Sequence, residues 1–179
     1  MSKARGRRRM APATSGPDQV DQGGSSSGEV GTNSVQWSAW LLTVLAVIGI
    51  GLAGYLTSVH YAHTPLVCSD QGVVDCQKVL SSIYSVIPGT SVPITVPGTG
   101  FFLISLVLAL AQLRRPANYR LRQAHAAWGG LGVLTAFYLV FAELVELRTI
   151  CLWCTSVHIA LLLTFLVALW RLYPKPRSA

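Results

Sequence analysis

The chain reads as an all-α membrane protein: a four-transmembrane-helix bundle with an extracytoplasmic cap loop that contains a short half-helix. Three observations predict this. Hydrophobic residues make up 51% of the composition and charged residues 12%, with a mean hydropathy of +0.48, a balance suited to lipid rather than to a water-facing globule. Apolar runs able to cross a hydrocarbon core of roughly 30 Å recur along the chain. The basic residues cluster in alternate connections between those runs.

Residues 1–34 are rich in Arg, Gly, Ser and Pro, including Gly23-Gly24-Ser25-Ser26-Ser27-Gly28. They carry too little apolar area to offset the entropy of ordering, which predicts a disordered basic tail. The basic run lies far ahead of an apolar span too long for a signal peptide, so the first span is expected to stay attached. A transmembrane domain is expected over residues 35–174, with spans at about 37–59, 98–113, 123–146 and 149–173, and a short tail over 175–179. The second span is the shortest, and its Pro97-Gly98 entry suggests a helix that begins below the surface or barely spans.

Small residues, with Gly49 four before Ala53, Ile50 four before Gly54, and Gly129, Gly130 and Gly132 together, read as seams where helix backbones approach. Trp37, Trp40, Trp128, Trp170 and Tyr173 are expected near one membrane interface, Tyr61 and Trp153 near the other.

Between the first two spans, residues 59–97 form a segment too long for a turn. Within it the stretch Asp75 to Tyr84 has apolar Val79, Leu80 and Ile83, the pattern of a short amphipathic helix lying on the membrane. No helical signal follows Pro88-Gly89 up to Pro97. The segment is expected to cap the bundle.

Charge sets the orientation. Lys3, Arg5, Arg7, Arg8, Arg9, then Arg114, Arg115, Arg120, Arg122, then Arg171, Lys175 and Arg177 all fall on one side, which predicts a multi-pass protein with both termini cytoplasmic. The other side keeps only Lys78 and Arg148, beside Asp70, Asp75, Glu143 and Glu146. The net charge of +7 is therefore read as topology and contact with anionic lipid, with no nucleic acid as partner.

All 4 cysteines then lie on the extracytoplasmic face, as the pairs Cys68-x7-Cys76 and Cys151-x2-Cys154. Disulfides persist in that compartment. Thr149 is read as the cap of the last helix, which puts Cys151 in the first turn, where the positive helix end favours thiolate. Cys154 lies one turn deeper, at a level a lipid-soluble quinone reaches and soluble oxidants do not. The outer pair can close a small loop containing Gly72 and act as a shuttle by thiol–disulfide exchange with the inner pair. Two other readings fit the same cysteines: a non-enzymatic membrane protein with structural disulfides, or a four-thiolate zinc site. His60 and His63 have a metal-ligand spacing but read as interfacial, as does His125. Glu143 and Glu146 read as membrane-end charges facing water, with a role in proton transfer as the competing reading.

These residues resemble a known family. Cys68-x7-Cys76, then Val79 and Ser81-Ser82-x-Tyr84-Ser85, and later Cys151-Leu152-Trp153-Cys154 are similar to vitamin K epoxide reductase and its bacterial homologues, over roughly residues 37–170. The resemblance implies a four-helix bundle around a quinone, covered by a half-helix of the first outer loop. It implies a thiol:quinone oxidoreductase of the bacterial cytoplasmic membrane that reoxidises a separate, extracytoplasmic thioredoxin-fold protein and passes the electrons to menaquinone or ubiquinone. No metal is expected. Carried over by position, Cys68 exchanges with the partner, Cys76 passes electrons to Cys151, and Cys154 faces the quinone. Ser82, with Ser81 as fallback, matches the serine that hydrogen-bonds a quinone oxygen. Where animal members have a tyrosine, four residues after the last cysteine, this chain has His158, a second quinone-binding residue or a packed histidine bonded to a helix carbonyl.

Overall fold

A computed structural model describes residues 26–62, 64, 68 and 73–173, with side chains from residue 36 onward. Four of its helices are long and apolar enough to cross a membrane, with spans Gln36–Ala62, Thr95–Arg114, Tyr119–Leu147 and Leu152–Trp170. The element order is α1 (Ser26–Ala62), α2 (Cys76–Leu80), a 3-10 turn (Ile83–Ser85), α3 (Thr95–Arg114), α4 (Tyr119–Phe141) running into a π-helical turn (Ala142–Leu147), and α5 (Leu152–Trp170). Among the described residues there are no strands, only isolated bridges at Val74 with Ile150 and Val86 with Pro93.

Each boundary has a local cause. α1 starts at Ser26, inside the segment expected to be disordered, because a helix nucleated in an apolar span extends outward at the cost of one residue per bond. Residues 1–25 of the expected tail, Gly72, His63 and the tail at 175–179 lie outside the described residues. α3 begins at Thr95, ahead of the expected start: Pro97 sits in the first turn, where its missing N–H has no helical acceptor to lose. The resulting 20 residues reach about 30 Å, so this helix is long enough to cross fully. α4 begins at Tyr119 because Asn118 caps it, its side chain accepting from the Leu121 N–H at 3.4 Å.

The four long helices form a closed ring in which α1 packs on α3 and α5, and α4 on α3 and α5. The outward side chains are the apolar ones, among them Val44 and Val47 on α1, Val107 on α3, Leu134 and Phe137 on α4 and Leu166 on α5. That inversion is what lipid as solvent selects. Inside, close approach replaces hydrophobic drive. A Cβ on Gly49 would overlap the Phe102 ring, and one on Gly132 would lie 2.6 Å from Phe101 Cε2. The seam expected at Gly54 is absent: a Cβ there meets nothing within 4 Å.

α2 lies at the end of the bundle where α1 finishes and α5 begins. Its buried Cys76, Val79 and Leu80 join Leu56, Val59 and Cys151 in one cluster, with Leu147 packed against it. Asp75 caps the helix through the Lys78 N–H at 2.9 Å. Three bonds tie this segment to the α4–α5 connection: Ile150 N–H to Val73 O at 2.9 Å, Asp75 N–H to Ile150 O at 3.3 Å, and Lys78 Nζ to Leu147 O at 3.2 Å.

Candidate functional site

The cysteines, far apart in sequence, meet in this cluster. Cys76 and Cys151 are both 0% exposed members of it, and Cys68 and Cys154 pack against it. Cys68 and Cys76 form a disulfide across 6.2 Å between Cα atoms, whereas Cys151 and Cys154 are free thiols. One pair is oxidised beside a reduced one, a juxtaposition suited to exchange. The disulfide also removes two of the four thiolates that a zinc site would need. Among the described residues, no group of three or more His, Cys, Asp or Glu side chains assembles to hold a metal.

The expected cap of the last helix is corrected. Cys151, not Thr149, is the N-cap of α5, its sulfur accepting from the Cys154 N–H at 3.3 Å. Thr149 is buried and its N–H is taken by the Glu143 carbonyl at 3.0 Å, because the π-helical turn carries the chain past it before α5 can start. The Cys154 S–H, bonded to the Cys151 sulfur, holds the Cys151 thiol below its ordinary range, against burial and the nearby Glu143 charge.

Beneath the cluster opens a cavity of about 430 Å³ among α1, α3, α4, α5 and the α2 segment. Its wall is largely apolar, with Leu56, Phe101, Phe102, Trp128 and Leu161, and its polar groups include Ser82, Thr135, Glu143, Cys154 and His158. Few polar groups on an apolar wall are the usual make-up of a small-molecule site. Trp128 stacks on Phe101, with centroids 5.5 Å apart and planes 12° apart, and donates Nε1–H to Phe101 O at 3.2 Å.

That combination of a membrane four-helix ring, two cysteine pairs in contact with one cluster and an apolar cavity against the inner pair agrees with a family-level match. The model of the vitamin K epoxide reductase family matches residues 40–169. The chain belongs to the vitamin K epoxide reductase family. Its members are membrane oxidoreductases that use quinones. No curated protein matches the chain.

In this vitamin K epoxide reductase family chain the residues singled out by sequence fall as follows. Ser82 borders the cavity just ahead of the 3-10 turn, without a side-chain cap bond to it, and its hydroxyl donates to Val79 O at 2.7 Å. A serine has one donor hydrogen, so Ser82 must rotate its O–H to donate to a ligand. Ser81 is exposed and donates to Lys78 O at 3.4 Å. His158 borders the cavity one turn below Cys154 and forms no hydrogen bond to a helix carbonyl among the described residues, unlike the packed-histidine reading.

Three residues differ from expectation. His125 is 0% exposed and bonded through Nδ1 to Gln112 Nε2 at 2.9 Å, so it is a buried polar pair member and not interfacial. Trp128 lines the cavity rather than an interface, because its N–H finds the Phe101 carbonyl inside the ring. Glu143 is 7% exposed and lines the cavity, whereas Glu146 is exposed. The signal for Glu143 was available: an acid inside the apolar run Leu139-Val140-Phe141-Ala142-Glu143-Leu144-Val145 is costly unless it faces the bundle interior.

Proposed function

We propose that the chain is a thiol:quinone oxidoreductase of the bacterial cytoplasmic membrane, which reoxidises an extracytoplasmic thioredoxin-fold, disulfide-forming protein at the expense of menaquinone or ubiquinone. The observation that carries this reading is the oxidised Cys68–Cys76 pair packed in one cluster with the reduced Cys151/Cys154 pair, of which Cys154 alone borders the apolar cavity.

A dithiol of the partner attacks Cys68, leaving Cys76 as thiolate. The partner's second thiol resolves the mixed disulfide, which releases the oxidised partner and frees Cys68. Cys76 attacks the inner disulfide at Cys151 and displaces Cys154, and Cys68 then attacks Cys76 in the Cys76–Cys151 bond, which re-forms the Cys68–Cys76 bond and leaves Cys151 and Cys154 reduced. A Cys68–Cys76 disulfide beside free Cys151 and Cys154 supports this reading, since it is the pattern that would precede electron transfer to the quinone. A bound quinone supplies the acceptor of two electrons and two protons. Ser82 and His158 would hold its ring oxygens and Phe101 and Trp128 would flank its apolar body, while the burial of Cys151 keeps soluble oxidants from the inner pair.

The side of the membrane follows from the basic residues of the α3–α4 connection and of both tails, which favour the cytoplasm. An even number of spans then returns both termini there, with the cysteines outside. The test mixes purified protein, a reduced surrogate dithiol and a soluble quinone, and follows quinone reduction. Turnover is expected, and Cys154→Ala is expected to abolish it. Full activity in Cys154→Ala refutes the assignment.

A further inference from the structure

Formation of the Cys151–Cys154 bond releases two electrons and two protons, all of them taken up in forming the quinol. Cys154 borders the cavity and can pass its proton directly. Cys151 cannot: it is 0% exposed and does not line the cavity. Glu143 spans that gap. Its carboxyl interacts with the Cys151 backbone N–H, it and Cys154 are the titratable side chains among the described residues that act on Cys151, and it lines the cavity with Cys154 and His158. Among the described residues no cationic side chain compensates it, so it is not held as half of a structural ion pair.

The backbone explains how it gets there. Residues 142–147 wind as a π-helical turn, and Arg148 ends the turn in the left-handed region at φ 53°. Such wider turns recur at functional sites because they re-aim side chains relative to a continuing α-helix. Here Glu143 is turned inward while Glu146, three residues on, is exposed.

We propose that Glu143 is the proton-transfer residue of this site: its carboxylate takes the proton of the Cys151 thiol as the S–S bond forms and delivers it to a quinone oxygen in the cavity. This rests on the thiol:quinone reading. The other titratable groups facing the cavity, His60, Tyr84 and His158, do not act on Cys151 and hold no place on this path.

The test compares wild type, Glu143→Gln and Glu143→Asp in quinone reduction by the prereduced protein. Glutamine keeps an acceptor for the Cys151 N–H but carries no proton, and loss of a general acid–base group is expected to slow the reaction about 100-fold or more. Aspartate keeps the carboxylate and is expected to fall between glutamine and wild type. Infrared difference spectra of the quinone-free protein, reduced minus oxidised, are expected to contain a carboxyl band that Glu143→Gln removes. Equal rates for wild type and Glu143→Gln, equal slowing of the two variants, or a band unaffected by the substitution overturns the assignment of Glu143 alone. A wild type that reduces no quinone overturns the thiol:quinone reading, and this inference falls with it.

Discussion

Asp75→Ala tests whether α2 delivers Cys76 to Cys151. The helix has 5 residues, little more than one turn, so the Asp75 side-chain cap on the Lys78 N–H at 2.9 Å is a large share of its local hydrogen bonding. Replacing such a cap by alanine costs about 1 kcal/mol, whereas asparagine caps nearly as well. The bonds from Val73, Asp75 and Lys78 to residues 147–150 hold the segment to the α4–α5 connection, but they do not replace the lost cap. Since 1.4 kcal/mol is a factor of ten, the docked population relative to the frayed one should fall about fivefold. The assay uses Cys68→Ala with Cys154→Ala, which leaves Cys76 and Cys151 to form a disulfide with each other. Its equilibrium against glutathione gives their effective concentration. Adding Asp75→Ala should lower that value about fivefold, while Asp75→Asn leaves it near the parent. If the parent pair never forms the Cys76–Cys151 bond, the route through the cluster is refuted. An unchanged value in Asp75→Ala refutes the role of the cap.

Other consequences can be measured separately. The Cys154 S–H holds the Cys151 thiol below its ordinary range, and a depressed group is ionised at lower pH; NMR of isotope-labelled cysteine should therefore find Cys151 turning to thiolate below the roughly 8.5 of free cysteine, with Cys154→Ala moving the transition upward. Gly132→Val places a Cβ 2.6 Å from Phe101 Cε2 and 3.2 Å from Leu161 Cδ1, and the Phe101 ring is already pinned by stacking on Trp128. Overpacking should cost about 1–3 kcal/mol and push the ring into the cavity, read as a lower melting temperature and a raised KM for quinone. Ser82→Ala removes one hydrogen bond at the cavity edge, worth about 1 kcal/mol, and should raise the quinone KM severalfold without changing the exchange between cysteine pairs.

Sequence alone determined the membrane class, the four spans and the two cysteine pairs, because span length and apolar content are imposed by bilayer thickness and need no partner. It also carried the family resemblance, since the cysteine spacings and the Ser82 position are local patterns. Boundaries drifted at helix starts: the capping sulfur of Cys151 took the place of Thr149, and α3 began at Thr95 because Pro97 is tolerated in a first turn. Only the tertiary structure decided contact. Cys76 and Cys151 are 75 residues apart by their numbering, and their meeting depends on the bridge between Val74 and Ile150 together with the Lys78 bond to Leu147. The same holds for Glu143 and Trp128, whose inward direction follows from a π-helical turn and from an indole N–H that finds the Phe101 carbonyl. Periodicity predicts which helix a residue occupies; the packing of neighbouring helices decides which way its side chain faces.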